Sequence, residues 1–290
     1  MHTAQDQRAA LTALLEFYAA SGVDVALDEA PIDRFAEERE KRAREAERRA
    51  AGIDARAADS IRAPSGDRPP AAARSASPAT PASLDPQEAV AGAHARAAAA
   101  TDLAMLRDNL AGFDGCGLKL SAKSLVFADG TPGARVMLVG EAPGSEEDRQ
   151  GKPFVGRSGQ LLDRMLAAIG LDRSSVYIAN VIPWRPPGNR TPTPQEVATC
   201  MPFIRRQIEL ADPDFLICLG APSAQALMEI STGILKARGR WQDYDTGKRV
   251  IRAMATLHPA YLLRQPSQKR MVWRDLRALR RALDAGSAQR

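Results

Sequence analysis

The chain has 290 residues, and a composition of 44% hydrophobic and 26% charged residues describes a soluble globular protein rather than a disordered or fibrous one. No apolar run reaches the roughly 18 residues of a membrane span, and the N-terminus carries an acid near its start and no signal-cleavage pattern, so neither membrane insertion nor secretion is expected. Residues 1–100 hold 13 Lys and Arg against 16 Asp and Glu, the remainder 27 against 19; the body is therefore basic and suits a polyanionic partner.

Cys116, Cys200 and Cys218 cannot build a disulfide framework, which fits a reducing cytoplasm. Leu11, Leu14, Leu15 and Tyr18 fall at helical spacing. Asp33 to Arg49 alternates acids with bases, as a solvated helix face or a nucleic-acid arm would. Residues 63–83 contain five prolines and no Leu, Ile, Val or Phe, too little apolar surface to offset the entropy of ordering. The expected organisation is a helical N-terminal extension over 1–62, a Pro/Ala-rich linker over 63–100 and a catalytic-sized domain over 101–290. The Ala-rich stretch 89–100 either continues the tether or begins a helix into the body.

Beyond residue 101, short apolar runs alternate with helical patterns. Arg135 to Val139 reads as a strand closed by Gly140, and Leu161, Leu162, Met165, Leu166 and Ile169 mark one helix face before Gly170. Val176 to Val181 is a second strand. Thr193-Pro194-Gln195-Glu196 is a capping box with proline at the first helical position. Phe215 to Leu219 and Val250 to Leu257 supply the third and fourth strands, and a basic helix runs from about Gln268 to Ala285. The pattern predicts an α/β fold: three αβα layers around a four-stranded, mainly parallel sheet. Ligands of such sheets bind beyond the carboxyl ends of the strands. That edge gathers Glu141-Ala142-Pro143-Gly144, Asn180, Gly220 and His258-Pro259.

Each of these has two readings. The turn from Gly140 to Gly144 can present backbone N–H groups to a flat or anionic ligand, with Glu141 orienting a water, or Glu141 is a loop acid facing solvent. Phe154, in a loop of Gly, Pro and charge, either stacks on a flat ligand or anchors its loop on the next helix. Asn180 interrupts an apolar strand, either as a donor–acceptor reader of a polar edge or as a strand cap. His258 either donates to a developing oxyanion or is structural. Leu262 and Leu263 beside Arg264 suit an apolar wedge next to a phosphate contact, or the start of a helix packed on the core.

Taken together, Gly140-Glu141-Ala142-Pro143-Gly144, Gly151-Lys152-Pro153-Phe154-Val155-Gly156, Asn180, Arg185-Pro186-Pro187-Gly188-Asn189-Arg190 and His258-Pro259-Ala260-Tyr261-Leu262-Leu263-Arg264 closely resemble the family 4 uracil-DNA glycosylases, over residues 105–283. The resemblance implies that deoxyuridine is flipped from DNA and its N-glycosidic bond hydrolysed, leaving free uracil and an abasic site in base excision repair by a monofunctional glycosylase. It implies that Glu141 positions water, that Phe154 stacks on the base with Ala142 and Pro143 lining the pocket, that Asn180 reads uracil O4 and N3–H, and that His258 stabilises charge on O2. Arg185, Arg190 and Arg264, with Lys269, Arg270 and Arg274, would hold phosphates, and Leu262 and Leu263 would wedge the duplex.

Members of the family carry a [4Fe–4S] cluster on four cysteines. At those places this chain has Phe113, Cys116, Trp184 and Cys200, so no cluster, no metal and no other cofactor is expected, Cys116 and Cys200 being remnant positions. The expected partner is uracil-containing DNA, with a repair protein docking through the N-terminal extension unless that segment is a plain tether. A catalytically inactive reader of damaged DNA is the competing expectation. A serine hydrolase is disfavoured by the lack of a Gly-x-Ser-x-Gly turn, and an NTPase by the lack of a Walker A loop.

Overall fold

Runs of Val, Leu, Ile and Met that are apolar at every position have no face to offer water, so they fold only where helices cover both sides. In a computed structural model that describes residues 85–287 and Thr12, such runs form the centre of one sheet. The chain divides into two units, Met1–Ser77 and Pro78–Arg290, and the fold described is that of the second. The readings for residues 1–84, Thr12 apart, lie outside the described residues.

The central strands are β2 (Val136–Gly140), β3 (Tyr177–Asn180), β4 (Phe215–Leu219) and β6 (Val250–Thr256). They pair in parallel, Gly140 opposite Asn180 and Val139 opposite Cys218. Successive residues point to opposite layers. Met137, Val139, Leu216 and Cys218 enter one core cluster; Val136, Leu138, Ile217 and Leu219 enter the other. The three-layer αβα architecture is the expected one, but the sheet has six strands, not four: β1 (Asp129–Gly130) lies beyond β3 and β5 (Trp241–Asp245) beyond β6, giving the order β1-β3-β2-β4-β6-β5. These two edge strands run antiparallel. They escape a reading by apolar runs because β1 is two residues long and β5 is mostly polar and half in water.

The first layer holds α1 (Pro86–Ala99), α2 (Leu103–Ala111), the short α3 (Leu118–Ser121), α6 (Pro194–Ala211) and α7 (Ala221–Met228). The second holds α5 (Arg157–Ala167), α9 (Pro259–Arg264) and α10 (Lys269–Ser287). Between them in the chain lie the short α4 (Ser145–Gln150) and α8 (Ile234–Ala237).

Helix α1 corrects the linker boundary at residue 100. Asp85 caps it by accepting from Gln87 N–H at 2.8 Å, and Ala89, Ala93 and Ala97 are buried against α6. Alanine carries little apolar area, but at i, i+4 spacing it lets two helix backbones approach closely, so a stretch with no large hydrophobe still packs. The Arg206 guanidinium seals the far end by donating to the Ala100 carbonyl. The capping box of α6 forms as read: Thr193 Oγ1 accepts from Glu196 N–H at 3.2 Å and Thr193 N–H donates to Glu196 Oε2 at 2.7 Å.

Candidate active site

The carboxyl ends of β2, β3, β4 and β6 open into one cleft of about 720 Å³, lined by Glu141, Ala142, Pro143, Phe154, Asn180 and His258. The six residues singled out for the base pocket therefore share one cavity. Pairing of β2 with β3 continues past the strands, with Val181 N–H donating to the Gly140 carbonyl at 3.0 Å and Ile182 N–H to that of Glu141 at 2.9 Å. This zipper sets Glu141 and Asn180 in register at the mouth.

Gly140 is where the chemistry depends on having no side chain. A β-carbon there would lie 2.5 Å from Asn180 Oδ1 and 2.6 Å from Phe154 Cζ. Gly140→Ala should displace the amide and the ring together, and affinity for the uracil that the resemblance implies, measured by titration with the free base, should fall while the fold persists. Retained affinity would mean that the two groups do not form one wall.

Phe154 anchors its loop on the core and also borders the cleft. It is 4% exposed and packs in the second core cluster with Leu162 and Leu166, yet it borders the cleft and its ring lies 5.4 Å from the His258 ring. Its backbone is left-handed at φ 54°, an arrangement costing about 1–3 kcal/mol for a bulky residue. Two charged groups hold it there. Buried Glu147 accepts from Val155 N–H at 3.0 Å and Gly156 N–H at 2.9 Å through one oxygen, and from Gly144 N–H at 3.1 Å through the other. Arg173 donates to the Pro153 carbonyl at 3.2 Å and to the Phe154 carbonyl, while pairing with Asp129 at 2.7 Å and Asp163 at 2.8 Å. Gly159 of α5 permits the approach, since a methyl there would overlap the Phe154 carbonyl. Glu147 thus ties the Gly144 turn to the Phe154 loop. Sequence reasoning missed it and Arg173; only the Gly144-x-x-Glu147 spacing, a helix-start pattern, marks the former.

His258 caps a helix and also lines the cleft. Its Nδ1 accepts from Ala260 N–H at 3.1 Å, capping α9, with Pro259 at the first helical position. An Nδ1 that accepts must be bare, so the proton of the neutral ring sits on Nε2. Burial, reinforced by the Arg264 charge and opposed by Glu147, lowers the imidazole from 6.5 to about 4. Burial raises the Glu141 carboxyl above its usual value. Asn180, at the end of β3, is buried and its side-chain amide takes part in no hydrogen bond among the described residues, leaving its donors and acceptor for a ligand.

The expected DNA contacts divide. Arg264 lines the cleft and is exposed. Arg185 donates to Asn189 Oδ1 at 2.7 Å, and Arg190 is engaged in a fork with Glu196 at 2.6 and 2.8 Å. Leu263 is 40% exposed, as a wedge requires, but Leu262 is not a wedge: at 1% exposure it belongs to the second core cluster. Successive residues of a helix are turned by about 100°, so in the short helix α9 Leu262 anchors on the core while Leu263 projects.

Phe113, Cys116, Trp184 and Cys200 meet in the first core cluster, each at most 4% exposed. The two sulfurs stand 3.9 Å apart, and the Phe113 ring packs on that of Phe203 at 5.2 Å. Two thiols and two aromatic rings do not fit a cluster that takes four thiolates. Cys218 is core, its thiol pushed up to about 12 by burial. Among the described residues no helix is long and apolar enough to cross a membrane.

Residues 127–277 match the model of the uracil DNA glycosylase superfamily. The type-4 uracil-DNA glycosylase of Thermotoga maritima is 44% identical over 164 residues, which are 56% of this chain and 84% of that protein. Those of Archaeoglobus fulgidus and Pyrobaculum aerophilum are each 38% identical, covering 57% and 60% of this chain and 84% and 91% of their own. The matched region holds every residue of the cleft, and the chain belongs to the uracil-DNA glycosylase superfamily, within its type-4 branch.

Proposed function

We propose that this protein releases uracil from DNA as a monofunctional glycosylase, hydrolysing the N-glycosidic bond of an extruded deoxyuridine and leaving an abasic site for repair. The observation that carries the reading is the convergence of Glu141, Phe154, Asn180 and His258 on one cleft. A reader of damage without turnover would need the stacking and hydrogen-bonding groups but not Glu141.

The base, swung from the stack at a cost of a few kcal/mol, packs against Phe154 and meets the Asn180 amide, which donates to O4 and accepts from N3–H. Cytosine offers the reverse pattern at those positions and leaves the amide unpaired. As the N1–C1′ bond breaks, its electron pair leaves with the base and negative charge grows on O2, where Nε2–H of neutral His258 donates. Ionised Glu141 aligns a water on C1′; the water oxygen bonds to the sugar and its proton passes to the carboxylate. Arg264 is placed to hold a phosphate beside the mouth.

The test is uracil release from otherwise matched oligonucleotides carrying U:G, U:A, single-stranded U and T:G. Release from the three uracil substrates and not from T:G is expected; tight binding without release would establish the damage reader instead.

The enzyme works without an iron–sulfur cluster. The misfit at Phe113 and Trp184 supports this, and the aromatic rings supply packing where relatives of the family place ligands. Protein purified without oxygen should be colourless and carry no stoichiometric iron, while releasing uracil at full rate; iron at about four atoms per chain would overturn the claim. Residues 1–84 serve as a tether or as a docking segment for a repair protein, and deletion of 1–84 with unchanged excision would favour the tether.

A further inference from the structure

Two rim segments of the cleft repeat one arrangement. In α9, Leu262 is buried, Leu263 projects at 40% exposure and Arg264 follows as an exposed cation. In α8, Ile234 packs against both core clusters, Leu235 projects at 51% exposure and Lys236 follows as an exposed cation. Ile234 and Leu235 line the same cleft as Glu141 and His258.

A leucine left half in water at the mouth of the cleft, with a cation beside it, suits a surface that enters a stack of bases flanked by phosphates. Rigidity favours the same assignment. Arg238 N–H closes α8 on the Ile234 carbonyl at 2.9 Å, and its guanidinium forms an ion pair with Asp275 of α10, which also accepts from Thr256 Oγ1 at 2.6 Å. The short helix therefore stands on a buried, charged footing with its leucine aimed outward. An apolar side chain held this way can occupy the gap left by a departing base without first losing its own freedom.

We propose that Leu235 is a second wedge, entering the duplex alongside Leu263 when deoxyuridine leaves the stack, with Lys236 on a neighbouring phosphate. The proposal rests on the glycosylase reading and adds to it a requirement specific to base-paired DNA. A single strand has no stack to hold open, so the wedge assists duplex substrates selectively.

The experiment compares wild type, Leu235→Ala and Leu235→Phe in single-turnover release from duplex U:A and from the same strand unpaired. A second readout is the fluorescence of 2-aminopurine placed beside the uracil, which brightens when unstacked. Leu235→Ala should lower the ratio of duplex to single-strand rates at least about tenfold and abolish the brightening on binding, and Leu235→Phe should restore both, since either apolar side chain can unstack a step. An equal fall on both substrates would make Leu235 a wall of the base pocket and overturn the proposal. So would a ratio and a fluorescence that do not change. Wild type that releases nothing from either substrate would contradict the glycosylase reading, and the fluorescence comparison would still decide the wedge.

Discussion

Replacing His258 by alanine is expected to lower single-turnover uracil release by about 10²- to 10³-fold, the loss typical of removing one preorganised donor to a developing oxyanion, with binding of uracil-DNA changed far less. The expectation follows from how the ring is held. Ala260 N–H occupies Nδ1, so Nε2 carries the only proton of the neutral ring. With the imidazole lowered to about 4, that neutral form persists through the whole physiological range. Catalysis by a neutral donor predicts a rate that does not fall as pH rises from 5.5 to 8. Dependence on imidazolium would instead make the wild-type rate decline through that interval, and such a decline would sink the assignment.

The same shift sets a stability slope. The unfolded chain binds a proton at His258 near 6.5 and the folded one only near 4, so between those values the unfolded state holds more protons and stability falls as pH drops. The contribution is complete above about 6.5 and lost on acidification towards 4. Urea unfolding of His258→Ala at pH 5 and pH 7.5 should show a smaller difference than wild type does. Because alanine also removes the cap of α9, worth about 0.5–2 kcal/mol, the difference between the two pH values is the informative quantity, not either midpoint.

How much of this was legible in the sequence depended on whether a residue's role is local. Four parallel strands announce themselves because burial on both faces demands unbroken apolar runs, as in Phe215 to Leu219. Asn180 and His258 stand out because they end such runs. The edge strand from Trp241 to Asp245 carries no such mark, since its sheet partner lies on one side only and water on the other. Helix α1 hides in an Ala-rich stretch, its partner α6 lying about a hundred residues further along the chain. Arg173 is the clearest case of a role that no local pattern encodes. Its four acceptors come from Asp129, Pro153, Phe154 and Asp163, and only the folded chain brings these together. Leu262 and Leu263 read as a pair because sequence cannot say which of two neighbours faces the core.

Changing Glu141 to glutamine is expected to lower the excision rate by about 10²- to 10⁴-fold, the range for loss of a positioned general base, and to alter the shape of the acid limb. Glutamine keeps the size of the side chain and can still hold a water, but cannot take its proton. In wild type the carboxylate must be ionised, and burial holds its pKa above the usual 4.5. The wild-type rate should therefore decline as pH falls through that raised value, before His258 begins to protonate near 4. Glu141→Gln has no titrating group there, so its residual rate should stay level until the lower limb of His258. In the proposed mechanism the two residues act on the two halves of one charge separation, His258 on the departing base and Glu141 on the sugar. If Glu141→Gln kept the wild-type acid limb, the titrating group would lie elsewhere and Glu141 would be only a wall of the cleft. If it removed the limb but left the rate high, the carboxylate would govern binding of the anionic substrate rather than the attack of water.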